Sequence, residues 1–202
     1  MEAEDIYRRL VDGAQDIDPF DAHVVASVCA LGFVEAQNEG HTIVEAIGLE
    51  RVELARVFSL FFPHAEELFL KDGDVALVRL PEELSLIDLL QRCGTAGSSF
   101  EMLLAAMIAR RAQRPHHLWQ DLGFRDRGEL SVLMQRHFAP LAKRNSKDMK
   151  WKKFLYRTIC ASTGYSLCTA PSCSECDDFA TCFEEESGES LLAHLRIAAD
   201  AA

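Results

Sequence analysis

Through most of the chain, apolar residues recur at intervals of three and four, the spacing that lines one face of an α-helix. The runs Phe20 to Val34, Leu49 to Phe62, Leu84 to Leu90, Phe100 to Ile108 and Leu130 to Phe138 all read this way. Period-two alternation is confined to Asp74 to Leu80 (DVALVRL), between Gly73 and Pro81. That stretch predicts a short strand or a buried connector. The pattern as a whole predicts an all-α helical bundle with at most a trace of sheet.

Two parts of the chain share a succession of signals. HTIVEAIGL (His41 to Leu49) lies without a gap over HHLWQDLGF (His116 to Phe124), 75 residues further on. Downstream, Glu53, Leu54, Phe61 and Pro63 match, with small gaps, Glu129, Leu130, Phe138 and Pro140. Upstream, Phe20 to Ala36 and Phe100 to Ala112 are both amphipathic. Each copy reads helix, histidine-led loop, glycine turn, helix, proline stop, which predicts a duplicated helical hairpin at 20–65 and 100–142. Chance likeness between two amphipathic helix pairs is the bland alternative. The predicted organisation is a helical domain over 1–160, a cysteine-rich loop over 161–183, and a tail over 184–202. The tail opens on Glu184, Glu185 and Glu186 and carries a short amphipathic run, LLAHLRIAA.

With 202 residues and 49% hydrophobic content, the chain can bury one good core. Its formal charge of −11 opposes general nucleic-acid binding. The opening MEAEDIYRRL is acidic and has no apolar core, and no stretch approaches the roughly 18 uninterrupted apolar residues of a membrane helix. A soluble, cytoplasmic protein without membrane attachment is the expectation.

The seven cysteines are unevenly spread. Cys29 and Cys93 stand alone in helical sequence and read as bystanders. The run Cys168-TAPS-Cys173-SE-Cys176-DDFAT-Cys182 has the spacing C-x4-C-x2-C-x5-C. Four thiolates so close together can surround one centre if the backbone winds around it, and Pro171, Ser172, Ser174 and Asp177 suit such a loop. An opening C-x4-C-x2-C is nearer to plant-type iron–sulfur spacing than to the paired knuckles of structural zinc. Zinc stays open as the rival, with disulfides or unliganded thiols behind it. Cys160 is a further sulfur near the motif or a buried core cysteine.

Before the motif, Lys143 to Arg157 holds seven Lys or Arg against one acid, Asp148. Trp151, Phe154, Leu155, Thr158 and Ile159 share a helical face, leaving Lys153, Tyr156 and Arg157 on the other. Lys152, Lys153 and Arg157 read either as a solvated face or as a surface that attracts an anionic metal species or an acidic partner. His116, His117 and His137 are candidate extra ligands, with structural roles as the alternative. Gly123 and Gly164 read as helix stops, and Trp119 and Trp151 as core anchors.

HHLWQDLGF, then FAPLAKRNSKDMKWKKFLYRTIC, then the four-cysteine run ending in CF together resemble the NifQ family of nitrogen-fixation proteins. The likeness covers roughly Leu118 to Phe183, and its most distinctive parts are MKWKKF (Met149 to Phe154) and the cysteine spacing. The resemblance implies a molybdenum-processing iron–sulfur protein that supplies molybdenum for the nitrogenase iron–molybdenum cofactor. It places a cluster, of 4Fe–4S or 3Fe–4S type, on Cys168, Cys173, Cys176 and Cys182. It implies as partners molybdate or a Mo–Fe–S species and the cofactor-assembly proteins, namely the iron protein and the cofactor scaffold. No G-x-S-x-G, phosphate loop or H-E-x-x-H is present, so a carrier is expected rather than an enzyme. A zinc-stabilised interaction module and an iron–sulfur electron-transfer subunit are the competing readings.

Overall fold

A computed structural model describes residues 2–14, 17–68 and 76–163. The four motif cysteines and the acidic tail lie outside the described residues. Within them the chain is all-α, and no strand occurs.

The helices are α1 (Ala3–Asp12), α2 (Pro19–Glu39), α3 (Ile43–Ile47), α4 (Arg51–Phe61), a 3-10 helix (Pro63–Leu68), α5 (Pro81–Arg92), α6 (Ser99–Arg111), α7 (Leu118–Asp121), α8 (Arg127–His137), α9 (Ala139–Arg144) and α10 (Trp151–Thr163). Packing of α1 and α3 on α2, α3 and α5 on α6, α8 on α9, and α10 on α5 encloses one hydrophobic core.

At the centre of that core runs α2. Asp18 caps it by accepting from the Phe20 and Asp21 amides, Pro19 fixes the first turn, and Gly40 ends it at φ 72°. From Val24 to Val34 every residue is buried, and that stretch is apolar all round but for Ser27, which suits a helix with neighbours on all sides. By length and composition α2 alone among the described helices could cross a membrane, with a mean hydropathy of 1.3. Burial of most of that stretch inside the bundle accounts for its composition. Gly32 sits where α3 crosses: an added Cβ would fall 2.6 Å from Ile47 Cγ1.

The two matched segments share local cap and turn geometry. Thr42 and His117 are N-caps, each with its N3 side chain (Glu45, Gln120) returning to the cap amide. Gly48 and Gly123 follow with left-handed φ of 83° and 80°. Next come Leu49 and Phe124, both fully buried, and then α4 and α8. These two helices end at Phe62 (φ −138°, ψ 54°) and Phe138 (φ −136°, ψ 45°). Phe62, rather than the expected Phe61, is thus the counterpart of Phe138.

One sequence expectation changes. The described part of DVALVRL, Ala76 to Leu80, is neither strand nor buried connector, since Val78 is 76% exposed. It runs along the surface, held by an Arg110 Nη2 donation to the Val78 carbonyl at 2.8 Å. A helix that the sequence analysis did not identify forms at the acidic N-terminus, where Ala3, Ile6 and Leu10 of α1 are buried one turn apart against the core.

Candidate functional site

The last described helix before the cysteine motif in the sequence is α10. Trp151 and Phe154 are buried with their rings edge to face, centroids 5.8 Å apart, and Leu155 is fully buried beside them. The Thr158 hydroxyl donates back to the Phe154 carbonyl at 2.8 Å. Lys153 is exposed and Arg157 half-buried, matching the expected polar face.

Lys152 departs from that face. Its ammonium donates to the Arg114 and His116 carbonyls and to Asp121 Oδ2, and only 19% of its side chain is exposed. The partner Asp121 is 1% exposed. A buried carboxylate needs a charge partner, and Lys152 is that partner. This lysine is therefore a structural pin between α10 and the turn at α7, not part of a free basic surface.

Asp121 is the hub of a larger arrangement. His116 Nδ1 lies 3.2 Å from its other carboxylate oxygen. Its backbone carbonyl accepts from Nε of the fully buried Arg111 at 2.5 Å. Arg111 then grips Glu35 with both terminal nitrogens, at 2.5 and 2.7 Å. HHLWQDLGF thus joins α10, α6 and α2 through one chain of charges.

The three candidate histidines are all engaged by protein groups. His116 faces Asp121, His117 caps α7, and buried His137 has Nε2 at 2.9 Å from Asp21 Oδ1. No grouping of three or more His, Cys, Asp or Glu suited to a metal ion occurs among the described residues. Burial pushes the Cys29 thiol up to about 12, which removes it as a ligand. Cys160 is buried on α10 at 7% exposure. Cys93, expected to be a bystander, is half-buried and lines a cavity against α10.

A second network escaped the sequence reading. The Tyr7 hydroxyl donates to His23 Nδ1 at 2.9 Å, and His23 Nε2 lies 3.3 Å from Glu129 Oε2. Burial raises the Glu129 carboxyl, but hydrogen bonds from His23 and from the Arg125 amide and guanidinium outweigh it and hold Glu129 at about 2. A carboxylate only accepts, so Nε2–H donates and Nδ1 is left free to accept from Tyr7. Residues 106 apart meet here, and no local pattern announces them. The assembly ties α1 and α2 to α8.

Comparison with known proteins extends the likeness beyond Leu118 to Phe183. The NifQ family profile matches residues 24–184, a span that includes all four motif cysteines. Protein NifQ homolog of Sinorhizobium fredii is 43% identical over 85% of this chain and 75% of its own length. Protein NifQ of Rhodobacter capsulatus is 38% identical over 76% of this chain and 88% of its own. Protein NifQ of Azotobacter vinelandii is 41% identical over a shorter stretch, 43% of this chain and 44% of its own. No solved structure matches. The chain belongs to the NifQ family, whose role lies in nitrogen fixation.

Proposed function

We propose that this protein carries molybdenum on an iron–sulfur centre and donates it for assembly of the nitrogenase iron–molybdenum cofactor. The observation that carries the reading is the C-x4-C-x2-C-x5-C run, which falls inside the span shared with the family. The donor set fits the cargo. Thiolates bind iron and other soft or borderline metals, and four of them satisfy one iron–sulfur cluster. Cys168, Cys173, Cys176 and Cys182 would hold it. The described residues supply the platform: Lys152 and Trp151 fix α10, the helix after which the motif begins, to the bundle.

The activity is transfer rather than catalysis. The protein works in the cytoplasm and hands its metal to the cofactor-assembly proteins. Anaerobic purification with analysis of iron, sulfide and molybdenum tests the reading. Brown protein holding all three is expected, and Cys173→Ser should lose most of its iron. One colourless zinc per chain would sink the proposal and return the motif to a structural module. In cells, loss of the protein should abolish molybdenum-dependent nitrogen fixation at scarce molybdate and spare it at abundant molybdate. No defect at limiting molybdate would rule out the donor role.

A further inference from the structure

From Lys143 to Arg157 the chain folds as the end of α9, a turn and the first half of α10, and its charges divide into those the bundle uses and those it leaves over. The Asn145 side chain clamps the turn on Met149, donating to its carbonyl and accepting from its amide, each at 2.9 Å. Asp148, the one acid of the stretch, is taken by α8: Arg127 Nη2 donates to its carboxylate at 2.8 Å. Lys152 is pinned to Asp121. Lys143, Arg144, Lys147, Lys153 and Arg157 have no ion-pair partner among the described residues, and all but the half-buried Arg157 are exposed. On α5, which packs on α10, Glu83 already sits between Arg79 and Arg110, and Asp88 already holds Arg92.

The opposite charge lies further along the same chain. Residues 164–202 contain eight acids against one arginine, Arg196, and Glu184 to Glu186 are consecutive, with Glu189 close behind. An acidic block of this kind seeks a basic surface, and one is tethered beside it. Reach is no obstacle. The 21 residues from Thr163 to Glu184 can extend to about 70 Å, whereas the 13 residues of α10 span only about 20 Å. The tether supplies an effective concentration on the order of millimolar, so exposed ion pairs that are weak singly can act together.

We propose that the exposed cations of α9 and α10 form a docking surface whose occupant is the chain's own acidic run, Glu184 to Glu186 with Glu189. While the run is seated, the basic surface is closed to any other acidic partner. The contact needs no metal in the cysteine motif and so goes beyond the function proposed above.

The test is zero-length carbodiimide coupling of amines to carboxylates in the full chain, on an equal mixture of unlabelled and heavy-isotope-labelled protein, read by mass spectrometry. Lys143, Lys147 and Lys153 should couple to the glutamates of the run within one chain. The yield should fall at least about threefold between about 0.01 M and about 1 M salt, as the screening length shrinks from about 30 Å to about 3 Å. Acylation of the same lysines is the second measurement. It should quicken at least about threefold when Glu184→Gln, Glu185→Gln and Glu186→Gln are combined, with circular dichroism as the control for folding. Coupling confined to pairs of labelled and unlabelled chains would assign the surface to a second copy and overturn the proposal. Coupling that is absent or indifferent to salt, or acylation unchanged in the triple variant, overturns the contact and returns these cations to a solvated face.

Discussion

The ammonium of Lys152 meets the buried carboxylate of Asp121, and this one contact joins two of the stretches that carry the family likeness, MKWKKF and HHLWQDLGF. Replacing Lys152 leaves a carboxylate at 1% exposure without its cation. Lys152→Met should cost about 2–4 kcal/mol in urea unfolding, because an unpaired buried charge carries a heavy penalty. Lys153→Glu, one residue on and exposed, should stay within about 0.5 kcal/mol. Equal effects from the two would show that the pin is not formed.

Gly48 stops α3 at φ 83° with Arg110 Cβ only 2.3 Å from where its own Cβ would stand. Gly40 stops α2 at φ 72° with nothing within 4 Å. Gly40→Ala should therefore cost only the left-handed backbone term, about 1–2 kcal/mol, while Gly48→Ala should exceed it by at least about 1 kcal/mol. Thermal midpoints of the two variants decide the point.

Glu129 governs part of the acid limb of stability. Its folded value of about 2 lies below the ordinary 4.5, so its contribution is complete above the ordinary value. As pH falls from there through about 2, the carboxylate takes up its proton and the contribution is lost. Glu129→Gln should be less stable than the parent at neutral pH, and the gap should close across that window. A gap that stays constant down to about pH 2 would refute the assignment.

Loss of the cluster should spare the bundle. The core from Ala3 to Leu155 is assembled from the described helices, so under the proposed reading chelation or Cys176→Ser should leave helical circular dichroism and the unfolding midpoint nearly unchanged. Cooperative unfolding on metal removal would place the cluster within the core instead.

What could be read in advance follows physical range. The all-α class, the long α2 and the twice-used glycine stop are local, written in spacing and capping residues a few positions apart. The cysteine motif is just as local in its spacing, and it lies outside the described residues. α1 went unseen because its buried face consists of only Ala3, Ile6 and Leu10 amid acids. Lys152 was misread because whether a cation is buried depends on its partner, and Asp121 lies 31 residues away. The link between His23 and Glu129 was illegible for the same reason, and so was the cavity beside Cys93, which exists only once α5, α9 and α10 have packed.

Cys29 gives the final consequence. At the middle of α2, with no accessible surface and its proton held up to about 12, its sulfur is chemically a methyl-sized filler. A protein that handles thiophilic metals runs the risk of self-poisoning, in which stray ions settle on its own structural sulfurs and pry the fold apart. Full burial of that cysteine would insulate the scaffold from a metal cargo of the kind proposed above.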